Sequence, residues 1–316
     1  MTNRMRILSL AALAAIATTL LCQVVPQAAQ AELARRIVHT DPAAYRPSPA
    51  VHGGAGTMAF TALLNRGTVT PEFNFLNRGE IPPGAGIGHH FHNTVEEMFL
   101  ILDGEAQFTV DGRTATVKGP AGVICRTGHS HAIYNASSKP LQWVNLNVSL
   151  NAGVYDNFDL GDTRAGASID AIPTFMVMRL DRELIRPAGG RGRGGAAASA
   201  APAPTVLTRR ALGPSVFSTT WAYIDQVLVP PGASTAELKH DAVGEAYLVL
   251  AGSGTVTVKG TTSETAPVKT GDALPIRIGE SSSFTNTGSE PLELFVMGVA
   301  KDMAAKTQLL SAGNQR

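Results

Sequence analysis

The sequence predicts an all-β chain built from two similar domains in tandem. A pattern of histidine, glutamate and glycine in the first half returns in the second half at a fixed distance of 148 residues, and such self-similarity indicates a duplicated structural unit. In both copies, runs of apolar β-branched and aromatic residues end at turn residues, as at Asp103-Gly104, which is typical of strands and hairpins. Strand patterns dominate both halves, so we expect few helices. The repeated positions are His92 and His240, Glu97 and Glu245, and Gly104 and Gly252.

Residues 1–31 are predicted to be a secretory signal peptide. They combine an early basic region at Arg4 and Arg6, an apolar run from 7 to 21, and small residues before a cleavage position after Ala31. The apolar run is shorter than the roughly 20 residues that a membrane-spanning helix needs, which disfavours a permanent anchor. We therefore expect a periplasmic or secreted mature chain that begins at Glu32 and has no membrane partner after cleavage.

Composition narrows the classes of partner and the sources of stability. The net charge is +1 and 16% of residues are charged, so there is no electrostatic case for nucleic acid or an anionic membrane as the partner. Removal of residues 1–31 leaves Cys125 as the one cysteine, so no intramolecular disulfide can form and stability must come from hydrophobic cores. About 285 residues remain (316 minus 31), which is enough for two domains.

The most informative segment is 84–104, which reads GAGIGHHFHNTVEEMFLILDG. His90 and His92 are separated by one residue, and on a β-strand this spacing puts both side chains on one face. Glu97 precedes an apolar run rich in strand formers, which predicts that it starts a buried strand. With His131 further along, three imidazoles and a carboxylate can converge on one metal ion. A lone histidine in an apolar stretch is more often a packed residue, and only the combination of spacings favours a metal site.

The same segment resembles the first motif of the cupin family, G-x5-H-x-H-x4-E-x6-G. The matching positions are Gly84, His90, His92, Glu97 and Gly104. The second cupin motif is met in part, because Gly128, His131 and Asn135 fit it while Arg126 stands where proline is usual. The resemblance implies a small jelly-roll barrel (a double-stranded β-helix) in which four side chains bind one divalent metal. The implied ligands are His90, His92, Glu97 and His131.

The second copy of the motif has lost ligand positions. The stretch that starts at residue 229, VPPGASTAELKHDAVGEAYLVLAGSGTVTV, has Leu238 at the first histidine position and keeps His240 and Glu245. Further on, Ser282 replaces His131 of the first copy, at an offset of 151 residues. An aliphatic side chain cannot coordinate and a hydroxyl coordinates weakly, so we expect a degenerate metal site. The second barrel is then structural, or forms a wall that faces the substrate.

These observations divide the chain into four parts: a signal peptide (1–31), a metal-binding first barrel (32–160), a connecting segment (161–210) and a degenerate second barrel (211–316). Residues 186–204 of the connecting segment, RPAGGRGRGGAAASAAPAP, are predicted to be a flexible, disordered linker because they contain almost no large apolar side chain. The flanking stretches FMVMRLDREL and TVLTRRAL have an extended pattern. We expect them to be strands that close one barrel and open the next.

A site of three imidazoles and one carboxylate suits a divalent transition metal, and the ligand set does not choose among Mn, Fe, Ni, Cu and Zn. An octahedral ion would keep two neighbouring positions open for a chelating substrate, or for substrate and dioxygen. The resemblance implies oxalate oxidation or decarboxylation, dioxygenolytic cleavage of enols, or isomerase and lyase chemistry. We expect an exported oxidoreductase of the dioxygenase kind that acts on a small oxygen-rich organic substrate. The alternatives are a metal-dependent lyase or isomerase, and a non-enzymatic protein that binds a small molecule or metal.

Three side chains are predicted to assist the reaction. Glu97 can act as a base as well as a ligand, since a carboxylate can move between coordination and proton acceptance. Arg126, near the barrel mouth, can bind a substrate carboxylate bidentately or pair with a surface acid. Tyr134, three residues after His131, is a candidate donor at the pocket edge, with a place in the core as the alternative. The cupin resemblance also implies pairing of two chains through barrel edges into a homodimer, unless the two barrels of one chain already satisfy that contact.

Overall fold

The computed structural model describes residues 32–187, 205–239 and 241–314. The predicted signal peptide, nearly all of the predicted linker, and His240 lie outside the described residues. Within these ranges, no helix is both long and apolar enough to cross a membrane. The predicted all-β fold of two jelly-roll barrels is confirmed. The α-helices of the described part are Glu32–Arg36 (α1) and Met303–Asn314 (α2).

The first barrel consists of two facing sheets. One sheet has the strand order β1-β2-β3-β10-β5-β8-β13 and the other has the order β11-β4-β9-β6-β7-β12, so the chain crosses between the sheets repeatedly, as in a jelly roll. The strands are β1 Arg46–Pro49, β2 Thr57–Leu64, β3 Phe73–Ile81, β4 Gly86–His92, β5 Val95–Ile101, β6 Glu105–Val110, β7 Arg113–Lys118, β8 Ala121–Cys125, β9 His129–Tyr134, β10 Leu141–Ser149, β11 Phe158–Asp162, β12 Ile169–Asp170 and β13 Val177–Arg179.

The second barrel also consists of two facing sheets, and in the described residues these sheets contain fewer strands than those of the first barrel. Its two sheets have the orders β14-β15-β16-β23-β18-β21 and β17-β22-β19-β20. The strands are β14 Arg186–Pro187, β15 Leu207–Leu212, β16 Trp221–Val229, β17 Leu238–Lys239, β18 Val243–Ala251, β19 Ser253–Lys259, β20 Ser263–Lys269, β21 Ala273–Ile276, β22 Ser281–Thr285 and β23 Leu292–Ala300.

Turn chemistry fixes the register of the hairpin formed by β6 and β7. Asp111 and Gly112 make the two-residue turn and have positive φ angles of 48° and 77°, a conformation that suits strand twist and favours an Asp-Gly pair. The resulting register sets Phe108 opposite Ala115, and both side chains are buried in the barrel core. This hairpin flanks β9, the strand that carries His131.

Each barrel has an apolar core, and a third apolar cluster joins the two barrels. The third cluster combines side chains from the outer face of one sheet of each barrel, and burial of such surface against a neighbour favours association by about 25 cal/mol per Å². The described residues accordingly form one compact unit. The largest side chains are Phe99, Phe108 and Trp143 in the first core, and Tyr247 and Phe284 in the second core. In the joining cluster they are Phe73, Phe217, Trp221 and Phe295.

A buried carboxylate of the first barrel is held by a loop of the second. Glu96 on β5 accepts hydrogen bonds from the backbone N–H groups of Ser218 (2.7 Å) and Thr219 (2.9 Å), and from the Thr219 hydroxyl (2.6 Å). The buried ammonium of Lys306 on α2 donates to the carbonyl groups of Phe217 and Thr219 in the same loop. Burial lowers the pKa of Lys306 to about 8, although the charge of Glu96 acts in the opposite direction. The loop 217–219 is therefore anchored from both sides.

The connecting segment adds strands to both barrels. On the first barrel, β11 pairs with β4, β12 with β7 and β13 with β8. On the second, β15 pairs with β16. The two stretches with an extended pattern thus contain β13 and β15, one on each barrel.

Candidate metal centre

Three strands bring the predicted ligands together between the two sheets of the first barrel. His90 and His92 lie on β4, and His131 lies directly opposite His90 on the neighbouring strand β9. Glu97 lies on β5 in the facing sheet. A β-bulge interrupts the β4–β9 register between Ile87 and His90, and such bulges redirect side chains near functional sites. All four side chains are buried, with at most 2% of each residue exposed.

The donor atoms of these four side chains converge on a common point. They all lie within 4.8 Å of one another, and the His131 Nε2 atom is 3.1 Å from His90 Nε2 and 3.2 Å from His92 Nε2. The Nδ1 atoms of His90 and His92 face the carbonyl oxygens of Gly88 (2.8 Å) and Asp156 (2.6 Å). With Nδ1–H donating to a carbonyl, the lone pair of each Nε2 is directed at the centre. The cluster therefore fits a divalent transition metal.

The protonation states of three of the four side chains also suit a metal. Burial and the neighbouring histidines lower the pKa of His131 well below its ordinary value, and burial lowers that of His90 to about 3. Burial alone would raise the pKa of Glu97, but hydrogen bonds and positive charge from His92 outweigh it and lower that pKa to about 2. For His92, burial is outweighed by the hydrogen bond and charge of Glu97, and its pKa is raised. Neutral imidazole and ionised carboxylate are the forms that bind metal.

Two asparagines on β10 orient the Glu97 carboxylate. Asn145 Nδ2 donates to Glu97 Oε1 (2.6 Å) and Asn147 Nδ2 donates to Glu97 Oε2 (2.9 Å). Asn74 Nδ2 in turn donates to Asn147 Oδ1 (2.7 Å). Sequence reasoning missed these residues, although the alternation of asparagine in the strand LQWVNLNVS was a usable signal, because residues i and i+2 of a strand share one face.

His52 covers the cluster from outside β4. Its ring stacks on the ring of His90 at a centroid distance of 4.0 Å and 15° between planes, and its Nδ1 lies 2.7 Å from Asp159 Oδ1. The φ angle of His52 is 49°, a left-handed conformation that is uncommon for histidine and often marks a functional position. Gly88 permits this approach, because a Cβ at that position would lie 2.1 Å from the His52 carbonyl oxygen. The glycine-rich strand GIGHHFH was the sequence signal for such a close contact.

A small cavity of about 160 Å³ lies next to the cluster inside the first barrel. Its walls are mostly apolar and include Phe60, Phe75 and Trp143, and its polar lining includes Glu97 and His52. Tyr155 also lines it, and burial together with the charge of Glu97 raises the pKa of that phenol. The arrangement gives a small molecule access to Glu97 in a largely dry environment.

Comparison with known proteins identifies the fold and the motif. The cupin domain family matches residues 77–148 and 226–298, one match in each barrel. The oxalate-binding protein of Thermotoga maritima is 30% identical over 102 residues, which make up 32% of this chain and 83% of that protein. The chain belongs to the cupin family. The resemblance inferred from the residue spacing of the first motif is thus confirmed.

Solved structures with two cupin barrels have the same overall fold. The formate complex of Lactobacillus farciminis oxalate decarboxylase superposes with a TM-score of 0.55 at 14% identity, covering 84% of this chain and 86% of that chain. Tomato vicilin gives 0.55 at 10% identity, with 84% and 85% covered. Bacillus subtilis oxalate decarboxylase, a protein described with Mn(II) centres, gives 0.53 at 16% identity, with 84% and 77% covered. At these identities the likeness shows the fold alone.

The other side chains predicted for this cupin site lie elsewhere. Arg126 is exposed and its guanidinium donates to the Ser218 hydroxyl of the second barrel (3.1 Å). Tyr134 is three residues from His131 on β9, so strand alternation puts it on the opposite face. Glu96, the sequence neighbour of Glu97, accepts hydrogen bonds from loop 217–219 of the second barrel. Catalytic roles for Arg126 and Tyr134 stay predictions, and the structure does not bring either side chain to the cluster.

In the second cupin barrel, tyrosines surround the equivalent glutamate. Tyr223 donates to Glu245 Oε1 (2.7 Å) and Tyr247 donates to Glu245 Oε2 (2.6 Å). Leu238 pairs with Ser282, as His90 pairs with His131 in the first barrel, which confirms the equivalence inferred from the repeat. Among the residues that the structure describes, the first-barrel cluster is the one group of three or more side chains suited to hold a metal.

Proposed function

We propose that the first barrel of this cupin is the centre of a metal-dependent oxidoreductase of the dioxygenase type that acts on a small organic acid. The observation that carries the proposal is the buried cluster of three histidines and one glutamate beside a cavity of about 160 Å³. When bound, a divalent transition metal would supply a Lewis acid with open positions for a chelating anion and dioxygen. Among Mn, Fe, Ni, Cu and Zn, the Mn(II) centres of the Bacillus subtilis oxalate decarboxylase favour manganese.

The size of the cavity indicates the size of the substrate. A water molecule occupies about 30 Å³ in the liquid, so about 160 Å³ holds a molecule of roughly five or six heavy atoms. Oxalate and the smallest 2-oxo and 2-hydroxy acids are of this size, and their two adjacent oxygens can chelate one ion. The names of the Thermotoga oxalate-binding protein and the Lactobacillus oxalate decarboxylase support the same substrate class.

In this proposal, one residue of the site binds the metal and a different residue accepts the proton. Both oxygens of Glu97 are engaged by Asn145 and Asn147, and its pKa of about 2 makes it a weak base. The proton-accepting role that the sequence assigned to Glu97 therefore passes, in this proposal, to His52. The Nδ1–H of His52 donates to Asp159, so its Nε2 holds a lone pair that can accept a proton from a bound acid or enol.

A second candidate function is binding without turnover. The Thermotoga maritima relative is named for binding oxalate, not for converting it. The same first barrel would then retain the metal as a docking point for a small dicarboxylate. A lyase or isomerase reaction at this centre is the third candidate, in which the metal polarises a carbonyl group and no oxygen is consumed.

Elemental analysis followed by an oxygen-electrode screen separates these functions. We expect one transition metal per chain, and oxygen uptake with one or more of oxalate, small 2-oxo acids and enols that is lost in His131→Ala. Product formation without oxygen uptake would support the lyase or isomerase, and saturable calorimetric binding without any product would support the binding protein. A purified chain with no stoichiometric metal under any loading condition contradicts all three.

We also propose that the chain is exported. The support is the arrangement of residues 1–31, with an early basic region, an apolar run and small residues before the predicted cleavage position. Amino-terminal sequencing of protein recovered from the periplasm or medium should begin at Glu32. The proposal would be contradicted if a native host held the full-length chain in its cytoplasm and in no other compartment.

A further inference from the structure

The second barrel contains a cavity in the same place as that of the first, but much larger. Its volume is about 600 Å³, compared with about 160 Å³ in the first barrel, and small-molecule sites commonly span roughly 300–1,000 Å³. We propose that this cavity binds a neutral, hydroxyl-bearing organic molecule larger than the substrate of the first barrel. The proposal goes beyond the oxidoreductase function and does not depend on it.

Two positions that carry aromatic side chains in the first barrel carry smaller side chains in the second barrel. In the first barrel, Phe60 and Trp143 both lie opposite Gly79, one on each neighbouring strand, and their rings meet at a centroid distance of 5.7 Å. These aromatic rings occupy the space beside that glycine.

In the second barrel, the corresponding central residue is Val227, and its two neighbours are Thr208 and Leu294. All three side chains line the larger cavity. A threonine and a leucine therefore stand where the first barrel has a phenylalanine and a tryptophan. The loss of the two aromatic rings, partly offset by Val227 in place of Gly79, contributes to a larger chamber with an apolar wall.

The polar side of this chamber carries an ion pair that the first barrel lacks. Arg210 Nε and Nη2 donate to the two carboxylate oxygens of Asp225 (2.7 and 2.9 Å), and its guanidinium lies 4.1 Å over the ring of Tyr223. The equivalent pair in the first barrel is Ala62 and Asn77. Paired charges present both hydrogen-bond donors and acceptors, with no net charge.

The inner end of the chamber disfavours an anionic ligand. Tyr247 lines the cavity, and its hydroxyl donates to the buried carboxylate of Glu245. Asp225 provides a second carboxylate on the lining. A ligand carboxylate would have to compete with Asp225 for Arg210, whereas a neutral hydroxyl can donate to oxygen and accept from nitrogen or from the buried Ser282 hydroxyl. The apolar walls then cover the rest of the ligand.

Isothermal titration calorimetry with two probes of the same ring system tests the proposal. The probes are 2-naphthol, which is neutral at pH 7, and 2-naphthoate, which is anionic, and the protein is the full mature chain with its metal bound. We expect one site per chain for 2-naphthol and an affinity at least tenfold weaker for 2-naphthoate. Comparable affinities for the two probes, or no saturable binding of 2-naphthol, would overturn the proposal.

Variants that copy the first barrel locate the binding. Leu294→Trp and Thr208→Phe install side chains found at the equivalent positions of the first barrel, and each should weaken 2-naphthol binding at least tenfold. Leu160→Trp, the same change at a half-exposed leucine of the first barrel, is the matched control and should leave the affinity within twofold. An unchanged circular dichroism spectrum and an unchanged urea unfolding transition show that each variant is folded. Undiminished 2-naphthol binding in both Leu294→Trp and Thr208→Phe places the probe elsewhere and refutes the assignment.

Discussion

The two barrels bury the same glutamate but surround it with different donors. In the first barrel, Glu97 receives hydrogen bonds from Asn145 and Asn147 and lies 3.2 Å from the ring nitrogen of His92. In the second barrel, Glu245 receives its hydrogen bonds from two phenols. A buried charge without partners costs several kcal/mol. Among the described residues, the second barrel thus keeps the buried carboxylate and exchanges the side chains that donate to it.

Strand register locates the exchanges. Tyr223 lies opposite a glycine, Gly298, that itself lies opposite Glu245. A Cβ on Gly298 would be 2.3 Å from the Tyr223 ring, so the phenol occupies the space that a side chain takes in the first barrel. Four positions differ between the barrels. From the first barrel to the second, Phe75 corresponds to Tyr223, Phe99 to Tyr247, Asn147 to Gly298, and His131 to Ser282.

The largest expected difference between the barrels is in metal content. His131→Ala removes one of four ligands and should reduce bound metal from one per chain to a small fraction, with activity lost in proportion, whereas Ser282→Ala should leave the metal content unchanged. Elemental analysis after gel filtration measures both. Equal losses in the two variants would mean that the second barrel also contributes to metal binding.

Removal of an asparagine from the first barrel tests the role of its carboxylate donors. Asn147→Ala should weaken metal affinity by about 10–100-fold, the usual effect of losing a hydrogen bond to a metal ligand. Competition with a metal-binding dye gives the affinity. The matched control is Val296→Ala, at the position of the second barrel equivalent to Asn145. It should leave metal affinity within twofold, and an unchanged affinity in Asn147→Ala contradicts the role.

Gly298→Ala tests the close packing of tyrosine in the second barrel. The added methyl group would overlap the Tyr223 ring, and we expect the free energy of unfolding in urea to fall by about 1–3 kcal/mol, the usual cost of overpacking. First-barrel metal content should remain at one per chain. The destabilisation should be smaller in a Tyr223→Ala background. Equal destabilisation in both backgrounds would show that the effect of Gly298→Ala does not come from contact with the Tyr223 ring.

The pH dependence of metal binding should report a single competing proton. The pKa of His90 is lowered to about 3, that of His131 is also lowered, and that of Glu97 is about 2, so none of these groups holds a proton near neutral pH. His92 has a raised pKa and is protonated in the metal-free chain as pH falls. Metal affinity should therefore decrease about tenfold per pH unit below the raised pKa of His92. Calorimetry in buffers of different ionisation enthalpy measures the released proton, and a release of two or more contradicts this assignment.

Local spacing explains why the metal ligands were predictable. His90 and His92 share one face of a strand wherever that strand lies, and the repeat supplied a second copy for comparison. The remaining parts of the site depend on pairings between distant segments. Asn145 and Asn147 act on Glu97 because β10 lies beside β5, and His52 reaches His90 because Gly88 leaves room for it.

The contact made by Arg126 was not predictable from the sequence. Its position beside the second motif suggested a substrate contact, but its side chain extends to Ser218 across the joint between the barrels. That joint depends on which outer sheet faces pack together, and periodicity within one strand carries no information about it. The fold of each barrel was therefore predictable from the repeat, while the contacts between the barrels were not.

The contact of Glu96 with loop 217–219 sets a limit on how independently the two halves of a duplicated gene can diverge. This carboxylate is adjacent in sequence to the metal ligand Glu97, and both of its oxygens are bound by groups of the second barrel. A shortened gene that encoded only the first barrel would expose the Glu96 carboxylate to water together with the apolar outer face that the second barrel covers. The second half can change its ligand positions, but it must keep loop 217–219 and the apolar face that covers the first half.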